Sequence, residues 1–566
     1  MVWLMNSDAV KETDLDVELR DIQHENEVRS EVPIDGNGVG PRERIVDGSQ
    51  TQRGLKSRHI QMIALGGSMG TGLFVGTGTT LSLAGPAPLF MSFIVISFIV
   101  WTVVQSLAEM TTYLPIHGAS VPNYVHRYFE PSLAFAAGWN YWYSYAMLVA
   151  AEISAASVVI DYWDNPVPVA AWITIILITV VVLNIFAVRI YGESEFWFAS
   201  IKIIAILALI ILGIVLFFGG GPRHDRLGFH YWKDPGAFNS YPKPGLGTTG
   251  KFLAFWTSLV RSGFAFILSP EALTITAGEC EAPRRNIPKA SKRFIYRLVV
   301  FYVLGTLVVS VIVASNDPDL LQAVSSGTKN AGASPFVIGI KRAGIQGLDH
   351  VMNAVIITSA WSAANAFLYS GSRSLFSLAL TGQAPEIFTK CSNGVPYVAV
   401  LATAALGSLA YLSISSGSAT VFAWFLTLTT IGGYIAWIVM FMTYLRFREA
   451  LVYRVMLSSI PFKSPWQPYT SYFAMIMLIL LCLTNGFHVF FSGNFSAASF
   501  LAAYLILPLF FTLYLGHKLW ARTPWIRPIE TVDLWSGKRE ADRQEEEDIG
   551  PPVPRNLLER IWSFIV

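Results

Sequence analysis

The chain reads as an all-α protein that crosses a membrane many times, and three features say so. Of its 566 residues 53% are hydrophobic and only 14% charged, with a mean hydropathy of +0.48, too little charge to cover a soluble surface of that size. Apolar runs near the ~20 residues that a bilayer needs recur about twelve times. Lysine and arginine gather in alternate connections between those runs, as expected of a polytopic protein.

Residues 1–58 are polar, with an acid-rich run and a Gly/Pro break at 36–41. They predict a disordered tail and not a cleavable signal peptide. The first span, 60–81, is IQMIALGGSMGTGLFVGTGTTL, with glycine at 66, 67, 70, 72, 76 and 78 and with Ser68, Thr71 and Thr77 among them. An interrupted helix survives in lipid only where protein, ligand or a wet cavity satisfies its freed backbone groups. So many glycines around hydroxyls predict a binding site more than a small-residue packing face. The helix resuming after the break would offer free N–H groups and a positive dipole end, suited to a carboxylate.

Further spans follow at 89–112, 133–160, 167–188, 196–218, 252–277, 298–315, 351–379, 398–415, 421–444, 473–491 and 498–519. The sixth, reading FAFILSPEALTITAGE over 264–279, repeats the logic of the first. Pro270 lacks the helical N–H and disfavours helix at Ser269, and Glu271 follows at once. Broken helices five spans apart are the mark of an inverted repeat with substrate between the breaks.

Basic residues lie before the first span (Arg42, Arg44, Arg53, Lys56, Arg58), after the sixth (Arg284, Arg285, Lys289, Lys292, Arg293, Arg297) and after the tenth (Arg446, Arg448, Arg454, Lys463). Connections after spans one, three, nine and eleven carry none, which predicts cytoplasmic termini. The loop 219–251 mixes bases with acids and prolines and is outvoted. Asn494-Phe495-Ser496 then faces outward as a glycosylation acceptor sequence. Beyond the acidic run 542–548, residues 556–566 place Leu557, Leu558, Ile561, Trp562 and Ile565 near one helical face. That face would meet the membrane surface, the rest of the protein or a sorting partner.

Charges inside spans are costly and usually functional. Glu152, deep in the third span, is a candidate proton or amine contact. Lys202 in the fifth either snorkels to the interface or serves as a resident cation or titrating group. Glu109 near the inner end of the second caps, pairs or functions, while Arg261 suits snorkelling or pairing more than a place in the outer vestibule, and Arg373 suits pairing. Cys280, Cys391 and Cys482 lie far apart without metal-ligand spacing. A net charge of +2 gives no case for nucleic acid, and no nucleophile–base pair or metal cluster suggests an enzyme. No cofactor is expected.

Several segments carry a resemblance: GGSMGTGLFVGTG at 66–78, PIHGASVPNYVHRY at 115–128, FAAGWNYWYSYAM at 135–147 and FASIK at 198–202. ITAGECEAPRRNIPKA at 275–290, SAANAFLYSGSRSLFSLALTGQAPEIF at 362–388 and GVPYVAV at 394–400 continue it. In order across most of 55–520, they make the chain resemble a fungal amino acid permease of the amino acid–polyamine–organocation superfamily. The resemblance implies a 5+5 inverted repeat with discontinuous helices 1 and 6, two added helices, and proton-coupled uptake of L-amino acids across the plasma membrane by alternating access. It implies a transporter domain over 59–520 between the cytoplasmic tails 1–58 and 521–566, lipid around it, and sorting or ubiquitination partners on the tails.

By the same resemblance Ser68, Gly70, Thr71 and Gly72 hold the substrate carboxylate. Residues 266–271, among them Phe266, Ser269 and Pro270, offer carbonyls to the α-amine and an aromatic lid. Lys202 stands where sodium sits in sodium-driven relatives; together with the acids read inside the spans, Lys202, Glu271 and Glu152 are the proton-coupling candidates, with Glu109 and Asn365 secondary. The chain departs from the family at Ser269-Pro270, where Gly-Thr or Gly-Ser is frequent, and at Ala366, where serine is. No arginine adjoins either break, which favours a neutral or broad range of amino acids. Two other readings stay open: a polyamine or related organocation carrier, which putrescine competition separates, and a non-transporting sensor, which would bind without accumulation.

Overall fold

The computed structural model describes residues 69–115, 121–160, 162–163, 166–186, 188–271, 274, 282–325, 334–392, 394–416, 418–491 and 495–546. The N-terminal tail, Ser68, Asn494 and the terminal segment 556–566 fall outside them. Apart from a lone bridge between Ser392 and Val395, regular structure among the described residues is helical.

In chain order the helices are α1 (Thr71–Phe74), α2 (Gly76–Ala84), α3 (Pro86–Tyr113), α4 (Val121–Tyr128), α5 (Pro131–Ile160), α6 (Val169–Ile185), α7 (Val188–Phe217) and α8 (Gly247–Ser262). They continue as α9 (Pro283–Arg297), α10 (Leu304–Ile312), α11 (Leu348–Leu380), α12 (Tyr397–Gly407), α13 (Ser418–Tyr453), α14 (Tyr469–Thr484), α15 (Ala497–Tyr504), α16 (Ile506–Ala521) and α17 (Lys538–Glu546), with the short helices Pro318–Ser325 and Pro335–Arg342 between α10 and α11, Ser413–Ser416 before α13, and 3-10 or π turns elsewhere. Among the described residues six helices are long and apolar enough to cross a bilayer, and α15 with α16, bent by 46°, makes a further candidate.

The bundle is built around α5, which packs along α11 and α13 more extensively than any other helices meet. Lipid is as apolar as a leucine side chain, so this association depends on close van der Waals contact and small residues. Ala136, Ala137, Ala150 and Ala151 of α5 and Ala360, Ala363 and Ala364 of α11 are all fully buried. These two helices and α7 therefore present polar side chains to one another at short range.

One stretch departs from expectation. Residues 284–297, read from sequence as a basic loop, form α9 and run through a π-helical turn at Leu298–Val303 into α10. Ile287, Ala290, Phe294 and Leu298 recur at helical spacing and are buried, which anchors the apolar stripe while Lys289 and Lys292 stay exposed and Arg297 turns into the interior.

At this basic end the polypeptide after α16 packs back on the bundle. Arg127 of α4 donates to the Asp533 carbonyl at 2.8 Å and the Ser536 carbonyl at 2.6 Å, and pairs with the Asp533 carboxylate at 3.0 Å. Arg284 of α9 donates to Asp542 and Glu545 of α17 and to the last carbonyls of α3, those of Thr112 and Tyr113. Arg446 and Arg454 of α13 donate to the carbonyls of Arg527 and Glu530. Val532 and Leu534 are buried beneath. Burial would raise the Asp533 carboxyl, but Arg127 and the Ser536 and Trp535 N–H groups outweigh it and hold it below the usual carboxylate range.

Also at this end, Lys518 of α16 is clamped by the Glu130 carboxylate at 2.6 Å and the Pro524 carbonyl at 2.8 Å, with both side chains buried. Glu130→Ala leaves that ammonium buried without its counter-charge and is expected to cost about 3–5 kcal/mol. The loss is read as a lower unfolding midpoint of the purified protein in detergent, and the joint replacement Glu130→Leu with Lys518→Met should recover most of it.

Candidate functional site at two helix breaks

The first break is fixed by a carboxylate. Met69 and Gly70 are not helical, Gly70 having φ −107° and ψ −154°, and helix begins at Thr71. The Thr71 N–H, which has no helical acceptor at this position, donates to the two oxygens of Glu152 at 3.3 and 3.2 Å. The Thr71 hydroxyl donates to Glu152 Oε2 at 3.1 Å. On the other side of the break, Ser359 of α11 donates to the Met69 carbonyl at 2.8 Å.

Glycine is required here by proximity. A Cβ on Gly70 would stand 2.1 Å from Glu152 Oε1 and 3.1 Å from the Ala363 Cβ. One on Gly72 would stand 2.8 Å from the Ala265 Cα, so the two breaks lie directly against each other.

The second break begins earlier than Ser269-Pro270. After α8 the chain tightens into a 3-10 turn at Gly263–Phe266, and Leu268 adopts a left-handed φ of 56°. Packing on α13 places it there. Gly263 lies against Tyr434, whose hydroxyl donates to the Val260 carbonyl at 2.9 Å, and Ile267 fills the space over Gly433. Pro270 follows the break instead of causing it. The Ile267 and Ser269 N–H groups donate to the Phe264 and Phe266 carbonyls, and Glu271 accepts from the Tyr141 hydroxyl at 3.3 Å. Phe266 is buried between Tyr302, at 4.3 Å between ring centroids, and Phe93, at 5.6 Å. Phe264 and Ala265 stand against Gly72 instead.

Lys202 is only 1% exposed, so it does not snorkel. It interacts electrostatically with Glu195, Glu152 and Arg297. Glu195 was not among the sequence candidates, because it precedes the apolar run that marks the fifth span. The available signal was its spacing of seven from Lys202, which puts both on one face of α7. Its carboxylate is fully buried and accepts from the Ser362 hydroxyl at 2.9 Å to each oxygen.

The secondary candidates lie in structural roles. Asn365 accepts from Asn184 of α6 at 2.7 Å. Glu109 accepts from Tyr444 at 2.7 Å, from Arg448 at 3.2 Å and from the Ser464 N–H at 2.6 Å, tying the loop after α13 to α3. Arg373 lies over the Tyr369 ring and donates to Ser372. No group of metal-ligating side chains occurs among the described residues.

The family model for amino acid permeases matches residues 59–527. The chain is 58% identical to a proline-specific permease of Emericella nidulans, over 92% of this chain and 94% of that protein. It is 53% identical to a probable proline-specific permease of Schizosaccharomyces pombe, over 88% and 90% of the two chains. It is also 50% identical to a proline-specific permease of Saccharomyces cerevisiae, over 88% and 80%.

Gly70→Val would drive Glu152 off the Thr71 N–H and hydroxyl. The branched side chain also fills the space in front of those donors, between Glu152 and Ala363, so the variant is expected to lose binding of radiolabelled amino acid in detergent while the protein still reaches the membrane. Unchanged affinity in a correctly localised variant would reduce Gly70 to a packing residue.

Proposed function

The chain belongs to the amino acid permease family, and from that premise we propose that it takes up L-proline together with protons. It is a secondary transporter of amino acids across a membrane, and it is not an enzyme. On this proposal it has about twelve spans, ten of them in a 5+5 inverted repeat, cytoplasmic termini, a plasma-membrane location, and alternating access by rocking of spans one, two, six and seven against spans three, four, eight and nine. The proline-specific relatives, half or more identical over 80–94% of their lengths, support the substrate. So does the second break, where the Phe264 and Phe266 carbonyls already accept hydrogen bonds and favour an ammonium with two hydrogens over one with three.

The observation that carries the proposal is the Glu152 carboxylate on Thr71. The N–H and hydroxyl donors that would receive the substrate carboxylate already hold a carboxylate of the protein. Two anions at one helix terminus repel strongly away from water. A proton on Glu152 removes that competition and loosens its hold on the donors, so substrate and proton enter together. Return of the Glu152 charge then expels the substrate. Lys202, electrostatically linked to Glu152, sets the balance as a second proton carrier or a resident cation. Net positive charge moving inward gains about 2.3 kcal/mol per charge for each 100 mV.

In proteoliposomes with an inward proton gradient, L-proline is expected to accumulate and the lumen to acidify with it. Accumulation that follows sodium and ignores the proton gradient would sink the coupling assignment. Competition by putrescine in place of amino acids would favour the organocation alternative, and binding without accumulation the sensor.

Glu152→Gln imitates the protonated acid. It should retain exchange of L-proline at equal concentrations and lose accumulation against a gradient. Lys202→Met separates the roles of the lysine: a proton carrier loses accumulation but keeps exchange, and a resident cation loses both. Normal accumulation with normal pH dependence in Lys202→Met would remove the lysine from the mechanism.

A further inference from the structure

Glu195 is a buried acid that neither helix break uses. The other buried carboxylates in α3–α5 and beyond have evident duties: Glu109 is paired with Arg448 and Glu130 with Lys518, Glu152 caps the first break, and Glu271 meets Tyr141. Glu195 takes part in no ion pair of that kind among the described residues. Its hydrogen-bond partner is the single hydroxyl of Ser362, lying 2.9 Å from both oxygens. One hydroxyl hydrogen cannot satisfy two anionic oxygens, and a fully buried carboxylate held so thinly is a group open to a proton.

Its position gives that proton a source and an exit. Glu195 and Lys202 lie seven residues apart on one face of α7 and interact electrostatically. The helix begins after the connection following the fourth span, which the distribution of bases assigns to the cytoplasmic side, so Glu195 is about 10 Å nearer the cytoplasm than Lys202 at 1.5 Å per residue. Ser362 lies three residues beyond Ser359, whose hydroxyl holds the Met69 carbonyl at the first break. One face of α11 thus touches both the break and the acid.

From this placement we infer that Glu195 is a proton-relay residue, taking the proton from Lys202 and releasing it to cytoplasmic water. The inference rests on the proton-coupled reading with Lys202 as a carrier. An N–H bond of the Lys202 ammonium breaks, its electron pair staying on nitrogen, and an O–H bond forms on Glu195. That proton then leaves to water, restoring the carboxylate. The charged groups sharing this interior are Lys202 on α7, Glu152 on α5 and Arg297 at the end of α9. Arg297, a cation on a helix of the rocking bundle, opposes the charge on Lys202 as it approaches and favours the transfer.

The test compares wild type, Glu195→Gln, Glu195→Asp and Ser362→Ala in proteoliposomes, reading L-proline exchange at equal concentrations, accumulation under an inward proton gradient, and dependence on luminal pH. Glu195→Gln is expected to keep exchange and lose accumulation, with Glu195→Asp recovering part of it. Ser362→Ala removes the donor that favours the charged acid, so Glu195 holds its proton longer and a higher luminal pH is needed for half-maximal accumulation. Unaltered accumulation in Glu195→Gln overturns the relay. So does loss of exchange along with accumulation at native membrane abundance, which makes Glu195 a packing residue, and so does an unmoved pH profile in Ser362→Ala. If wild type ignores the proton gradient, the coupled reading itself fails and the relay with it. Where wild type follows the gradient, a failure in the variants counts against Glu195 alone.

Discussion

A helix that begins inside a buried bundle must find partners for its first backbone groups, and here an acid and a serine supply them. Glu152 receives the N–H and the hydroxyl of Thr71, and Ser359 answers the Met69 carbonyl on the other side. Without these contacts the break would leave polar groups in hydrocarbon at several kcal/mol each. The close approach of α5 and α11 follows from the same need, since both partners must reach the break. Their small buried residues let them do so.

The polar interior is graded by how completely its acids are held. Glu109 is tied by a tyrosine, an arginine and a backbone N–H, and Glu130 by a lysine at 2.6 Å. Such groups are closely paired and fasten the basic end. Toward the breaks the partners thin out to a threonine for Glu152, a tyrosine for Glu271 and a serine for Glu195. Acids with several partners at the end and lightly held ones inside divide the bundle into an anchored rim and a looser centre.

Much of this was legible in the chain itself. The glycines of 66–78 marked the first break because glycine so dense in an apolar run has few other uses, and Lys202 inside an apolar run marked an interior cation. The second break was displaced because its cause is tertiary: Gly263 against Tyr434 and Ile267 over Gly433 are encounters between segments some 170 residues apart in sequence, whereas Pro270 is a local sign. Glu195 escaped notice for a related reason. Hydropathy starts a span at the first apolar residue, Phe196, but α7 starts at Val188, and the acid that counts lies in the difference. The stripe of Ile287, Ala290, Phe294 and Leu298 was readable at helical spacing and was masked by the bases around it.

The packing of residues 525–546 has a practical consequence for anyone altering the protein. This segment looks like a disposable extension by composition, yet it touches α3 and α9 through Arg284 and Tyr113 and α4 and α13 through Arg127, Arg446 and Arg454. A chain trimmed at residue 521 would bare Tyr113 and the end of α3 to water and remove the acceptors that residues 527–545 offer to Arg127, Arg284, Arg446 and Arg454. A fusion that keeps residues 522–546 keeps these contacts.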